Sequence, residues 1–576
     1  MTCFSKSLTA AVAIVAMLTS PAFVSFADTP KARKKQQLTE EQRIIHVLSR
    51  LGFGARPGDV ARVKSMGLEN YINQQLNPEK ISDAVAENKV KELGVLTMSA
   101  AELYEKFPRP GRLLRQLQAR GMLNADSPDQ KELDPRNEKY RKLLQEYYQE
   151  NGLQRPQRIV AELQASRILR AVYSERQLQE VMVDFWTNHF NVFAGKGADR
   201  WLLPAYDRDT IRPNALGKFS ELLTATAQSP AMLFYLDNFQ SVSPNANANR
   251  GNARRRLMNQ EMPAQQLQRP RRGINENYAR ELMELHTLGV DGGYTQKDVQ
   301  EVARCFTGWT IFQPRGGAAA VNALDGDAAR RNAGTFFFNQ RVHDDGEKVV
   351  LGRRISAGGG FKDGLTVLDT LAHHPSTAKF IATKLVRYFV SDTPPPALVD
   401  RVATVFLKSD GDIRETLKTI FVSNEFNSPE AYRAKIKRPF ELVVSALRTL
   451  GADTNGGPQT HQWIARMGEP LYGFQTPNGY SDAAETWVNT GGLLERMNFG
   501  LALAGNRIQG TRVDLARLAA HDKSKLIDES LNMIVAGDIS PATRDTLMKQ
   551  IDEKNAKDSV AQVVGLILGT PEFQRQ

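Results

Sequence analysis

Apolar residues recur at three- and four-residue spacing through nearly the whole of this chain, and that period restricts it to a helical architecture. Between Thr39 and Leu51 the apolar positions include Ile44, Ile45, Val47, Leu48 and Leu51. Between 157 and 173 they include Ile159, Val160, Leu163, Ile168 and Leu169. Residues three and four apart share a helix face, so each set forms a stripe that another element must cover. Further helices are predicted at about 56–66, 68–76, 81–93, 99–106, 111–119, 137–151, 364–373, 376–391, 397–408, 412–423 and 430–450. Thr39 with Gln42, and Thr295 with Asp298, have the spacing of capping boxes. Strand character gathers at Thr335–Asn339 and Lys348–Leu351, around His343-Asp344-Asp345-Gly346, where Asp-Gly supplies hairpin turn chemistry. The expected fold is mainly α: one large multi-helix domain over 38–576 with a small β-hairpin near 335–351.

The first residues read as an export signal. Lys6 is a sparse basic region, Leu8 to Leu18 is apolar, and Ser25 and Ala27 are small residues at positions −3 and −1 of a cleavage site. The apolar run is too short to span a bilayer, and no later segment reaches 18 apolar residues. The expectation is a signal peptide over 1–27, cleavage after Ala27, a basic flexible leader over 28–37, and a soluble periplasmic or secreted protein. Cys3 lies before the apolar core, where a lipoprotein cysteine would not be. Export leaves Cys305 alone, so no intramolecular disulfide can form, and its place within a helical pattern suggests a buried apolar thiol.

The formal charge is +11, and loss of Lys6 with the signal peptide reduces it to +10. Seven arginines stand against one acid, Glu261, between Ser241 and Gly273, which leaves the rest only mildly basic. The high pI is therefore no argument for a nucleic-acid-binding fold. Residues 240–273 are rich in Asn, Gln, Arg and Pro and read as a disordered insertion able to attract anionic polysaccharide.

Two stretches concentrate polar residues beside helical apolar faces. In Asn275–Thr310, Asn275 is a plausible N-cap for a helix over about 276–288, which carries Glu276, Arg280, Glu281 and Glu284. In Glu175–Phe193, the stripe Glu180, Asp184 and Asn188 lies next to the stripe Phe185 and His189. Asp184, His189, Glu276, Arg280, Glu281 and Glu284 are the candidate catalytic residues, with a carboxylate or imidazole as general acid or base. His343 and Asp344 are candidate ligands for a divalent cation, although turn chemistry explains Asp-Gly fully. A solvated charged face and a satisfied buried histidine account for the same patterns without chemistry. No HExxH, P-loop, dinucleotide fingerprint or nucleophile elbow occurs. The Pro/Gly/aromatic stretch 468–481 has the composition of a loop that lines a carbohydrate or peptide groove, and equally of one whose aromatics simply pack it.

Several segments, in order, resemble the bacterial family called domain of unknown function 1800: FWTNHF at 185–190, ALGKFSELL at 215–223, PAMLFYLDN at 230–238, NENYARELMELHTLG at 275–289, YTQKDVQEVARCFTGW at 294–309 and HDDGEK at 343–348. HPSTAKFIATKLVRYFV at 374–390 fits as well. The resemblance covers about 40 to 575 and transfers no catalytic residue. It implies export and a partner from a second exported family, domain of unknown function 1501, which resembles sulfatases and phosphatases. Two functions follow as expectations. One is a hydrolase acting on envelope or polymeric anionic substrates. The other is a non-catalytic accessory or binding protein working with that partner.

Overall fold

A computed structural model describes residues 37–119, 121, 137–244, 273–313, 331–520, 522–550 and 556–576. The signal peptide, all but the last residue of the basic leader, the polar stretch 124–136 and residues 245–272 of the Arg-rich insertion lie outside the described residues. The chain is mainly helical, with three small two-stranded antiparallel sheets among the described residues. No described helix is long and apolar enough to cross a membrane.

The helices start where the sequence supplies caps. Thr39 and Gln42 exchange hydrogen bonds as a capping box at the start of Glu40–Arg50, and Thr295 and Asp298 do the same for Gln296–Cys305. Asn275 Oδ1 accepts from the Asn277 N–H and opens Glu276–Glu281. That helix continues as a wider π-helical turn, Leu282–Thr287, before Gly289 ends it at φ +84°. The apolar stripes meet in one continuous core running from Ile44 to Phe573. Full burial of each large apolar side chain there is worth about 1.5–3 kcal/mol. A second, small cluster (Leu113, Leu114, Leu117, Leu144 and Tyr148) joins helices Pro110–Ala119 and Glu138–Glu150. Cys305 is buried, and burial pushes its thiol up to about 12, as expected of an inert apolar cysteine.

The expected hairpin pairing is corrected by the register. Phe336–Phe338 pairs with Trp309–Ile311, and Lys348–Val350 pairs with Arg353–Ile355. The tight turn is Leu351-Gly352, both at positive φ, as the two-residue turns favoured in hairpins require. Asp-Gly at 345–346 forms a local loop instead: the Gly346 N–H donates to Asp344 Oδ1.

The helix expected over 430–450 is also shorter, covering only Pro439–Thr449. Proline disfavours the helical region for the residue before it, and Arg438 is extended at φ −62°, ψ 162°. Residues 435–437 run extended beside 574–576: Lys437 N–H donates to the Gln574 carbonyl at 2.9 Å, and Gln576 N–H donates to the Lys435 carbonyl at 2.9 Å.

The ends of the Arg-rich insertion belong to the packed body. Ser241 and Ser243 are buried, Ser241 Oγ accepts from the Asn275 N–H at 3.1 Å, and the Val242 N–H donates to the Gly273 carbonyl at 3.2 Å. The insertion therefore leaves and re-enters the body at one point.

Candidate functional site

Helix Gln177–His189 places Glu180 and Asp184 on one buried face. Arginines hold both. Arg167 Nη2 donates to Asp184 Oδ1 at 2.7 Å, and Arg438 Nη2 pairs with Asp184 Oδ2. Arg438 Nη1 lies 3.0 Å from Glu469 Oε1, and Glu469 Oε2 accepts the Phe440 N–H at 2.8 Å. Arg212 pairs with Glu180 at 2.6 Å and lies 3.5 Å from Asp207. Burial lifts the Glu469 carboxyl to about 7 against the pull of Arg438, and nearby Asp184 adds to the lift. This network ties the Gln157–Tyr173 and Gln177–His189 helices to Pro439–Thr449 and to the 468–481 loop. The cavity beside it, lined by Asp184, Asn188, Arg438 and Tyr480, holds only about 30 Å³. That is room for about one water, so the geometry is that of a structural clasp.

His189 is fully interior. Its ring stacks on Phe185 with planes 3° apart, and its Nε2 lies 3.1 Å from the His286 carbonyl. Burial, with the Lys384 and His286 charges, holds its pKa well below the usual histidine value, so it is neutral. Glu276 and Arg280 form an exposed triangle with Gln296: Arg280 Nη2 donates to Gln296 Oε1 at 2.8 Å, and Gln296 Nε2 donates to Glu276 Oε2 at 2.7 Å. The triangle clamps the two helices together. Glu284 accepts from the Tyr294 hydroxyl at 3.1 Å. Glu281 is half-buried, and desolvation followed by the Glu284 charge raises its pKa.

His343 and Asp344 face different partners. His343 Nδ1 lies 2.8 Å from the Thr307 carbonyl and Nε2 lies 3.2 Å from Asp363 Oδ2, which also pairs with Lys348 Nζ at 2.5 Å. Asp344 takes a two-pronged contact from Arg304 at 3.0 and 3.1 Å. No group of three or more His, Cys, Asp or Glu among the described residues is arranged to hold a metal ion. Among the described residues, Asp184, His189, Glu284, His343 and Asp344 are thus held by separate sets of partners.

A different pair faces a larger cavity. Lys437 and Ser445 line a groove of about 630 Å³ between the Glu40–Arg50 helix, the Lys523–Val535 helix and the 572–576 segment. Lys437 Nζ donates to Ser445 Oγ at 2.9 Å and sits 4.0 Å from the centre of the Phe573 ring. Both residues are buried, and Lys437 makes no ion pair among the described residues. Burial pushes the Lys437 pKa down to about 7; Arg433 and Arg496 add to this, while Glu441 opposes it. A neutral amine beside a hydroxyl is the arrangement by which lysine activates a nucleophile.

The opposite wall is the 54–58 loop. Gly54 has φ +94°, and a Cβ there would stand 2.9 Å from Ser445 Oγ. Arg448, one turn along the helix from Ser445, fixes this loop: Nε donates to the Gly54 carbonyl at 2.9 Å and Nη1 to the Val172 carbonyl at 2.7 Å. Sequence reading missed the pair because it placed 430–450 in one helix. Eight residues along a continuous helix rise about 12 Å, beyond a hydrogen bond between backbone positions. Pro439, which holds Lys437 in the extended segment ahead of the helix, was the available signal.

Fold and groove define a mainly helical protein carrying a buried lysine–serine pair on an open groove. The chain belongs to the family described as Protein of unknown function (DUF1800), whose model matches residues 46–575. No curated protein and no solved structure matches it.

Proposed function

We propose that this protein is an exported hydrolase of the acyl-transfer class, with Ser445 as nucleophile and Lys437 as general base. The observation that carries the reading is the 2.9 Å contact between Lys437 Nζ and Ser445 Oγ on the floor of the 630 Å³ groove. With Lys437 neutral, the Ser445 hydroxyl donates to Nζ. Oγ attacks the acyl carbon as its proton passes to Nζ, and the bond to the leaving group breaks as Nζ returns that proton to it. Water then attacks the acyl-serine, giving its proton to Nζ, and Oγ leaves and takes it back. The sum is hydrolysis: acyl compound plus water gives acid plus leaving group. A fluorophosphonate probe tests the reading. Covalent labelling mapped to Ser445, lost in Ser445→Ala, supports it; labelling unchanged in Ser445→Ala removes it.

The placement of the other candidates favours a second role for the body. Asp184, Glu276, Arg280 and Asp344 are engaged in ion pairs or hydrogen bonds that hold elements together. A scaffold of that kind also suits an accessory to an exported sulfatase- or phosphatase-like partner. Co-purification of that partner with Ser445→Ala as well as with the native chain would support this reading.

A further inference from the structure

Resting on that reading, we infer that the groove takes an ester with an apolar acyl chain and excludes an extended peptide. The groove that Ser445 lines carries apolar surface: Ile45, Val60 and Met533, partly buried, and Ile534 and Phe573, buried, are among its lining residues. The volume lies within the range of small-molecule sites, about 300–1,000 Å³. A common way for an extended peptide to bind is to add its backbone as a strand to a free chain edge, with side-chain pockets reading its sequence. Here the segment carrying the base is already paired on that edge. Lys435 N–H donates to the Gln576 carbonyl at 3.2 Å, and the Lys437 N–H donates to the Gln574 carbonyl at 2.9 Å. An acyl chain needs no such edge, because its binding comes from desolvation against the walls. Charged side chains of both signs, Arg517 and Arg433 with Glu529 and Glu41, lie around the groove and leave room for a polar alcohol portion.

The test uses the mature chain with p-nitrophenyl esters from acetate to decanoate, and peptide p-nitroanilides in parallel. Each CH₂ buried against the walls is worth about fourfold in binding. The kcat/KM for octanoate is therefore expected to exceed that for acetate by roughly tenfold or more. Met533→Trp narrows the groove and is expected to move the optimum to shorter chains. A flat chain-length profile, or anilides cleaved in preference to esters, overturns the ester assignment. Fluorophosphonate labelling of native Ser445 separates the two failures: labelling without a chain-length trend sinks only the substrate class, and absence of labelling sinks the catalytic reading beneath it.

Discussion

Lys437 Nζ meets Ser445 Oγ at 2.9 Å because Pro439 begins the helix that carries Ser445 and leaves Lys437 in the extended segment before it. The pair is buried, and among the described residues Lys437 makes no ion pair; the Glu441 charge and the face of the Phe573 ring favour its ammonium without contacting it as a salt bridge. Burying a cation without an ion-pair partner destabilises a fold, so a lysine kept in such a place points to chemistry rather than to stability.

Substitution should separate the two roles. Ser445→Ala and Lys437→Met are each expected to lower hydrolysis by about 10³-fold or more, as for paired nucleophile and base. Lys437→Arg is not expected to rescue activity, since guanidinium does not deprotonate. Lys437→Met should leave the melting temperature unchanged or raise it, because the buried charge is gone. A variant that loses activity and stability together would place Lys437 among purely structural residues.

The pH profile follows from the lowered lysine pKa of about 7. Only the neutral amine accepts the serine proton, so kcat/KM should rise through about pH 7 and level off above it. The stability effect has a definite sign. The unfolded lysine, near the ordinary lysine value of 10.5, holds a proton that the folded one has lost between about 7 and 10.5. This group's destabilisation is therefore complete below about 7 and relieved as pH rises towards 10.5. Denaturant midpoints of the native chain and Lys437→Met should converge as pH rises across that window.

The arginine–carboxylate clasp should be costly to open. Arg438→Met leaves Asp184 and Glu469 short of a partner and is expected to cost about 3–5 kcal/mol. Arg280→Ala breaks only an exposed i,i+4 contact and its link to Gln296, for about 0.5 kcal/mol or less. Urea denaturation of both variants checks the contrast; equal losses would show that the clasp is not the structural tie.

Gly54 tests the opposite wall. Gly54→Ala forces a Cβ to 2.9 Å from Ser445 Oγ at φ +94°. It is expected to destabilise by about 1–3 kcal/mol and to cut hydrolysis further than that loss of folded protein explains. Activity normalised to folded fraction is the measurement.

The Arg-rich insertion gives an independent prediction. Val242 and Gly273 are hydrogen-bonded, so joining 244 to 273 spans a short gap. Deleting 245–272 removes all seven arginines, and should leave the melting temperature nearly unchanged while weakening low-salt retention on heparin. Salt should erase the difference over a Debye length of about 8 Å at physiological strength. Retention that ignores both deletion and salt would rule out the insertion as the part that attracts polyanions.

Sequence alone determined the helical class, the caps at Thr39, Asn275 and Thr295, the burial of Cys305 and the family. All of these depend on neighbours within one or two turns, where period and side-chain type decide the outcome. It also picked out Asp184, His189 and the 275–310 helices as dense in polar groups. It could not say that Arg438, 254 residues away, neutralises Asp184, or that Arg304 and Asp363 engage Asp344 and His343. Those pairings are fixed by how distant helices pack, and a charge has the same local pattern whether it is bound or free. The strand partners at 309–311 and 353–355 were decided likewise, by chain segments meeting across the fold. The lysine–serine pair lay between these cases. Pro439 foretold the break in the helix, but only the packing of 574–576 and of the Gly54 loop around that break turned it into a groove with a nucleophile on its floor.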